Sequence, residues 1–486
     1  MLDTAWHQLR HGLALVAERR IRAADVEALA RHAAATRAEF GRLDRDQVLQ
    51  AMGRAPDEHV RATLNARRWR AAVRAAYEQT PYYRAQLDRL GLTPAELTFE
   101  RRAALPPTSK AALRGLPEAF VSDTANPVLQ AWTTGSTGHP TSCWFSAYEL
   151  DLAAAYGAMF RTMVSGFGPA DTVQLSLSSR AVLAVHLTMR SLQIVGAGCV
   201  LTGVIDPTLT MARLTSPVHL PGKKPLVSSL TIPPSHLAEI VQLGERQGYD
   251  PRRFGLAEIH TGGEILTDAL RRRAECLFGA PVHDSYGMTE TFPVFGQECS
   301  QRHLHFAGDH GLVEVLDPIT WQPTSPGEVG MLVVTPFPPY RDTVLLLRYA
   351  TGDLVRTLTE RPSCELAGQP ATTNLLGKAD FSPEVGDLRL YQRDILDLLE
   401  GEPAIPLPAR YHVELVADGF DLHVVAPDDD HSVVARLESR AEAADLPIRK
   451  IVLTRDESQV RQRFYRALLR ETSVVRPSGG ASWTLS

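Results

Sequence analysis

Lysine is scarce in this chain. Its 486 residues include only Lys110, Lys223, Lys224, Lys378 and Lys450, within a combined Lys and Arg total of 51. A GC-rich genome accounts for such a bias, and it makes any missing lysine easy to notice. Cysteine is scarce too. Cys143, Cys199, Cys276, Cys299 and Cys364 are odd in number and far apart, which argues against a disulfide framework and for a reducing cytoplasm. No apolar stretch approaches the roughly 20 residues of a membrane span. The start, MLDTAWHQLRHGLALVAERR, lacks the long apolar run and small-residue cleavage site of an export signal. A soluble, untargeted, cytoplasmic protein with no membrane partner is therefore expected. No Lys/Arg run interleaved with aromatics occurs and the formal net charge is -5, which argues against nucleic acid as a partner.

What is present suits a large globular protein. The chain is 44% hydrophobic and 22% charged, and it is too long for one core, so a large domain with subdivisions and at least one smaller domain are expected. Residues 5 to about 90 mix Arg and Glu with Ala and Leu at helical spacing, with Trp69, Ala72, Val73 and Ala76 on one face, which predicts a mostly helical lead-in over 1–90. LPPTSKAAL, from Leu105, reads as a turn and a helix start capped by Thr108 or Ser109. Helices near 147–164, 182–194, 235–247 and 267–278 then alternate with the segments TVQLSL, AGCVLTGV, LVSSL, LAEIH and PVHDSYG. This alternation predicts an α/β fold with a mainly parallel sheet flanked by helices. From Gly311, short strands between Pro/Gly turns predict a small mixed β subdomain. Beyond Leu376 a hairpin around Asp418-Gly419, a helix over 432–445, the strand IRKIVLT and a final helix over 456–472 form a separate α+β unit. The expected domains are 1–376 and 377–486.

The loops carry the candidate chemistry. TTGSTG, from Thr133, supplies Thr133, Thr134, Gly135, Ser136, Thr137 and Gly138. Glycines admit close backbone approach, and the backbone N–H groups with these hydroxyls could bind several phosphate oxygens together. No lysine follows the second glycine, so the loop is not of the G-x-x-x-x-G-K-[ST] type. YATGDL places Asp353 after a tight turn at a strand end, where a carboxylate can accept two hydrogen bonds from a ribose diol. DSYGMTE sets Glu290 on a loop as a hard oxygen ligand for Mg²⁺, and TGGE offers flexible backbone beside a flat ring. Taken singly, each has a plainer reading as a turn, a cap or a strand-to-helix connection.

Together, in this order and spacing, TTGSTGHPT, TGGE, DSYGMTE, YATGD and LGKAD resemble the adenylate-forming superfamily of acyl-CoA synthetases, adenylation domains and luciferases. YEQTPYYRAQLDRLGL with ALPPTSKAALR, and LVEVLDPITWQPTSPGEVGMLVVT leading into LLRYATGDLVR, resemble its phenylacetate-CoA ligase branch. The resemblance covers roughly 70 to 470. It implies an ATP-dependent, Mg²⁺-assisted enzyme that joins an acid to AMP with release of pyrophosphate, then passes the acyl group to an acceptor, by default the thiol of CoA. It also implies a small, mobile C-terminal lid and, as is common in the branch, a homodimer. By matching position, Thr133 to Gly138 would bind the β and γ phosphates, while Gly262, Gly263 and Glu264 would border the adenine. Asp284, Ser285, Tyr286 and Gly287 would line the nucleotide, Thr289 would contact the α-phosphate, Glu290 would hold Mg²⁺ and Asp353 the ribose. Lys378 stands where arginine is usual, Asp380 is where the lid hinges, and the acyl pocket would lie between the helix around Ser179–Arg190 and the loop Tyr286–Phe292, with His186, Phe292, Arg180 and Arg190 as contributors.

Departures from the family pattern bear on the acceptor. A lysine near the end of the lid usually clamps the carboxylate and the α-phosphate, but the corresponding region here reads QVRQRFYRALLRE, leaving Arg461, Arg463 or Arg466 to substitute, with Arg463 preferred. His139 stands where lysine or arginine is common. An aryl acid, or a small oxyacid such as nitrite, activated for attack by an amine is therefore an alternative to thioester formation, and a non-catalytic nucleotide-binding relative is an alternative of another class. Cys299, His303, His305 and His310 lie close in sequence, so a structural zinc ion can also be imagined there.

Overall fold

The structure, a computed structural model, describes residues 2–17, 19–41, 44–52, 58–133, 140–179, 181–385, 388–426, 431–456 and 473–475. The lead-in is helical, over Leu2–Val16, Ala23–Phe40, Arg45–Met52, Glu58–Gln79 and Pro81–Leu90. Trp69, Ala72, Val73 and Ala76 are buried along one stripe, as their spacing predicts, and the Trp69 indole donates to Leu97 O at 2.8 Å. Burying such a stripe is what holds an amphipathic helix in place. Thr80 caps the Pro81–Leu90 helix, and the buried Tyr83 hydroxyl shares a 2.8 Å hydrogen bond with Thr108 and accepts from Leu347 N at 2.6 Å. Thr108 is bridged to the start of the strand Tyr349–Arg356 by Thr108 N→Arg348 O (2.8 Å) and Ala350 N→Thr108 O (2.9 Å). These bonds fix where Lys110, two residues further on, enters the protein. Ser109, rather than Thr108, caps its helix, Lys110–Gly115.

The alternation after residue 147 builds an eight-stranded sheet in the order 371–373, 303–306, 295–298, 282–287, 258–262, 229–231, 172–175 and 198–201. The strands from 198–201 to 282–287 are parallel, and those beyond 282–287 are antiparallel. Leu230, Ile259 and Val282 are buried with Val241, Leu270 and Ala274 of the helices Pro234–Gln247 and Asp268–Phe278, and Val173 and Leu175 with Ala154, Ala158 and Leu192 of the helices Ala147–Phe160 and Val182–Val195, the helical cover a parallel sheet requires. The mixed β subdomain is an antiparallel sheet of Gly311–Leu316, Val329–Pro336, Tyr349–Arg356 and Gly377–Lys378.

The C-terminal hairpin Tyr411–Val416/Gly419–Val425 turns at Asp418, as its sequence predicts. It lies between the parallel strands Ile448–Thr454 and Ser473–Val475, and the helix His431–Ala443 packs Leu437 against Val413, Leu422 and Val424. The expected final helix, 456–472, falls almost wholly outside the described residues. This part of the chain is tied to the rest by Arg393 Nη1→Leu266 O (3.1 Å), Leu407 N→Gln242 Oε1 (2.7 Å) and a buried Thr267–Glu400 hydrogen bond. Among the described residues, no helix is long and apolar enough to cross a membrane.

Candidate active site

Asp353 does not follow a turn at a strand end, as expected. It lies inside the strand Tyr349–Arg356, where Gly352 takes φ +79° and a register shift separates Ala350 from Leu354. The glycine that suggests a turn makes a bulge within a continuous strand, and a bulge re-aims the side chains beside it. Asp353 is buried, with its Oδ2 accepting from the Tyr286 hydroxyl at 3.0 Å and its Oδ1 lying 2.7 Å from Lys378 Nζ. Lys378 reaches it because the two residues stand directly opposite across the sheet. Burial, and then the Asp353 carboxylate, push the Tyr286 phenol well above its usual pKa, so it stays protonated and donates. A carboxylate has about four lone-pair positions. The two bonds made here leave Asp353 able to accept from a diol.

Tyr349, at the head of the same strand, donates to Glu290 Oε1 at 3.3 Å, and Lys110 Nζ lies 3.1 Å from that oxygen. Glu290 is 1% exposed, so its charge is held by a phenol and an ammonium rather than by water. Lys110 is the residue that sequence reasoning did not assign. The scarcity of lysine was the available signal, since Lys110 and Lys378 are two of five and both contact a candidate carboxylate. Cys143 also lies close enough to Glu290 and Lys110 to feel their charge, and burial raises its thiol. Cys143 belongs to Ser142–Ser146, the strand leaving the proposed phosphate loop, whose partner is Pro127–Trp132. At the root of that hairpin Thr133 N donates to Thr141 O and Thr141 N to Thr133 Oγ1, both at 2.9 Å. Thr134, Gly135, Ser136, Thr137, Gly138 and His139 lie outside the described residues.

Thr261 and Gly262 of TGGE pair with Asp284 and Ser285 of DSYG in parallel strands. Thr261 Oγ1 donates to the buried Asp284 Oδ1 at 2.7 Å, and Ser285 Oγ donates to Thr261 O at 2.9 Å. Burial raises the Asp284 carboxyl to about 6, and Glu298 adds to this against the Thr261 bond. A Cβ on Gly262 would stand 2.8 Å from Ser285 O, so the close approach of the strands requires glycine there; Gly263 follows at φ +83°. Glu264 is engaged elsewhere, accepting from Ser235 N (2.7 Å) and Ser235 Oγ (2.9 Å) at the start of the helix Pro234–Gln247. That places an anion at the positive end of a helix. Gly287 ends its strand, and Thr289 is half-buried beside Glu290.

Phe292 packs edge-on against Phe145, ring centroids 5.6 Å apart, in the core cluster that contains Leu183 and has Leu187 packed on it. The helix bearing His186 thus borders Phe292, although His186 itself is exposed. Arg190 faces Glu27 at 3.6 Å. Asp380 is exposed in the short turn Ala379–Phe381, just after Lys378. Arg180, Arg461, Arg463 and Arg466 lie outside the described residues. Of the imagined zinc ligands, Cys299, His303 and His305 have donor atoms within 4.8 Å of one another, but His310 packs against Tyr340, ring centroids 4.5 Å apart and tilted by 59°, while Cys364 Sγ lies 3.2 Å from His305 Nε2. Two thiols and two imidazoles fit a structural zinc ion that would pin the 364 loop to the strand 303–306.

A family of AMP-binding enzymes matches residues 21–335. A phenylacetate-coenzyme A ligase of Thermus thermophilus is 27% identical over 64% of this chain and 68% of its own length. Another, of Pseudomonas putida, is 24% identical over 82% of this chain and 86% of its own. Among solved structures, 2-hydroxyisobutyryl-CoA ligase superposes with a TM-score of 0.68 at 19% identity, covering 83% of this chain and 87% of that one. Anthranilate CoA ligase superposes with a TM-score of 0.51 at 14% identity, covering 67% and 63%.

Proposed function

Because the chain belongs to the AMP-binding enzyme family and is an AMP-forming ligase of the phenylacetate-CoA-ligase-like branch, we propose that it activates an aromatic carboxylic acid with ATP and Mg²⁺ and hands the acyl group to the thiol of CoA. In the first half-reaction a carboxylate oxygen attacks the α-phosphorus and pyrophosphate leaves. In the second the CoA sulfur, having lost its proton, attacks the acyl carbon and AMP leaves. Neither step needs a covalent enzyme intermediate, so the protein's work is alignment and charge neutralisation.

In this reading Glu290 would hold Mg²⁺, which would supply positive charge to the phosphates, Thr289 meets the α-phosphate, and Asp353 with Tyr286 binds the ribose. Asp284, Ser285, Gly287, Gly262 and Gly263 shape the nucleotide cleft. Phe292 and the His186 helix bound the acyl pocket, and the chain turns at Asp380 to bring Arg463 of the C-terminal unit over the α-phosphate. The observation that carries the proposal is the strand Tyr349–Arg356, which carries Asp353, bonded to Tyr286, and contacts Glu290 through Tyr349, so that one element touches both candidate carboxylate positions.

The test is ATP–pyrophosphate exchange across a panel of aryl acids, followed by addition of CoA. Exchange with an aryl acid, a thioester on adding CoA, and loss of most activity in folded Glu290→Ala and Asp353→Ala proteins are expected. Wild-type rates in either variant would remove that residue's role. A product with amines but not CoA would move the assignment to nitrogen transfer, which the lysine-free stretch QVRQRFYRALLRE favours. ATP binding with no exchange for any acid, nitrite included, would make the protein a non-catalytic binder.

A further inference from the structure

The C-terminal hairpin carries a donor set that the nucleotide site does not use. His412 and Glu414 are two residues apart on one strand and so share a face, and the antiparallel register sets His412 opposite His423. The two imidazoles lie face to face, centroids 4.2 Å apart and planes 7° from parallel. Glu414 Oε2 is 3.4 Å from His423 Nε2, and one donor atom from each of the three residues lies within 4.8 Å of the others. His412 is only 6% exposed, and His423 Nε2 is buried without a hydrogen bond to any described residue. Asp421 stands opposite Glu414 on the same face, with Lys450 opposite Asp421 in turn, while the other face of the hairpin is the apolar core of Val413, Leu422 and Val424.

Two stacked imidazoles beside a carboxylate leave little room for the charged form of both rings. Protonating both rings would set like charges about 4 Å apart, where they repel. Left neutral, His423 keeps a buried ring nitrogen beside the Glu414 carboxylate with no hydrogen bond to a described residue. A divalent cation resolves both problems. We propose that His412, Glu414 and His423 form a binding site for a borderline divalent metal, zinc by ligand type, that staples the two strands of the hairpin together. Two imidazole nitrogens and one carboxylate oxygen suit Zn²⁺ better than the all-oxygen preference of Mg²⁺ or Ca²⁺. Tetrahedral ligation at about 2.0 Å asks the donors to close to about 3.3 Å from one another, a shift within reach of side-chain rotation.

The experiment separates this set from the thiol-containing cluster at Cys299. Zinc per chain is measured after equilibration with Zn²⁺ and removal of the excess, for the full-length wild type, His412→Ala/His423→Ala, Cys299→Ser/Cys364→Ser and the combined variant. The hairpin variant is expected to bind one zinc fewer per chain than wild type, and the combined variant one fewer than Cys299→Ser/Cys364→Ser. Co²⁺ added to the serine variant should bind without thiolate-to-cobalt absorption. His423→Gln, which keeps the side chain's polarity, should lose the same zinc, and zinc should raise the melting temperature of wild type more than that of the hairpin variants. If the serine variant fails to fold, the comparison of wild type with His412→Ala/His423→Ala decides alone. Unchanged zinc content in the hairpin variants, or no zinc bound by a folded serine variant, overturns the proposal.

Discussion

Lys110 and Glu290 form a pair whose energetics depend on what else is bound. With Lys110 only 20% and Glu290 only 1% exposed, removing the ammonium leaves a buried carboxylate with a single phenol donor. Breaking such a pair costs about 3 kcal/mol or more. Lys110→Met should therefore melt several degrees below wild type in the absence of ligand and recover part of that difference in Mg·ATP, because a cation then returns to Glu290. Its exchange rate should fall at least about tenfold, the scale of a lost charge contact in the transition state. Equal melting deficits with and without Mg·ATP, read by thermal shift, would show that Lys110 supports the fold and not the site. Asp284 makes a second prediction. Its folded pKa, about 6, lies above the usual 3.8. Its stabilising effect is therefore present below about pH 4 and is lost as pH rises through 6, by an amount on the order of 2 to 3 kcal/mol. Asp284→Asn removes that loss, so denaturant titrations should show the variant gaining on wild type between pH 4.5 and 7.5; a constant difference across the range would contradict this. At this scale motif and spacing name Glu290, Asp353 and Lys378, and the structure pairs Lys378 with Asp353. Lys110 was not legible, because its contact spans 180 residues of chain and no local pattern encodes it.

Elements were legible where period and punctuation agree. The helices over 147–160, 182–195, 234–247 and 268–278 begin or end at the caps and glycines that mark them in sequence, such as Ser146, Gly196, Gly248 and Thr267. YATGD was misread because an isolated glycine in a strand signals a turn and a bulge alike, and only pairing with Val329–Pro336, whose register shifts across Gly352, decides between them. His310 shows a related limit of local sequence. Proximity in sequence favoured it, but the strand Ala371–Thr373 pairs with His303–Phe306 and brings Cys364 back to His305 from 59 residues away. The glycines of the two nucleotide strands give a prediction at this scale. Gly262→Ala should force the strands 258–262 and 282–287 apart, since the new Cβ meets backbone at 2.8 Å. Gly287→Ala, whose nearest neighbour is Phe295 Cβ at 3.9 Å, should fit. Thermal unfolding should place Gly262→Ala well below wild type and Gly287→Ala within about 0.5 kcal/mol of it, the range of an uncrowded substitution. Similar losses in both would mean that strand spacing is not what glycine secures at 262.

At the scale of the whole molecule, the division near residue 376 is crossed by more than a linker. Gly377–Lys378 is an edge strand of the mixed sheet, and Arg393, Glu400 and Leu407 all bond to the helical layer of the large sheet or to the loop before it. If the unit beyond Asp380 turns between half-reactions, these contacts hold in one arrangement and break in the other. They are then weights on a two-state equilibrium, which a substitution shifts by its differential effect on the two states. Glu400→Gln keeps the shape of the Thr267 contact and removes its charge. Arg393→Ala removes the tie to Leu266 O. Each should change pyrophosphate exchange and transfer from preformed acyl-AMP to CoA by different factors, with one half-reaction slowed several-fold relative to the other. The measurement is the ratio of the two rates in each variant against wild type, with both variants shown to be folded at the assay temperature. A ratio that stays at the wild-type value while both rates fall together would mean that these contacts only stabilise the protein, and that residues 390–410 do not move as a lid about Asp380.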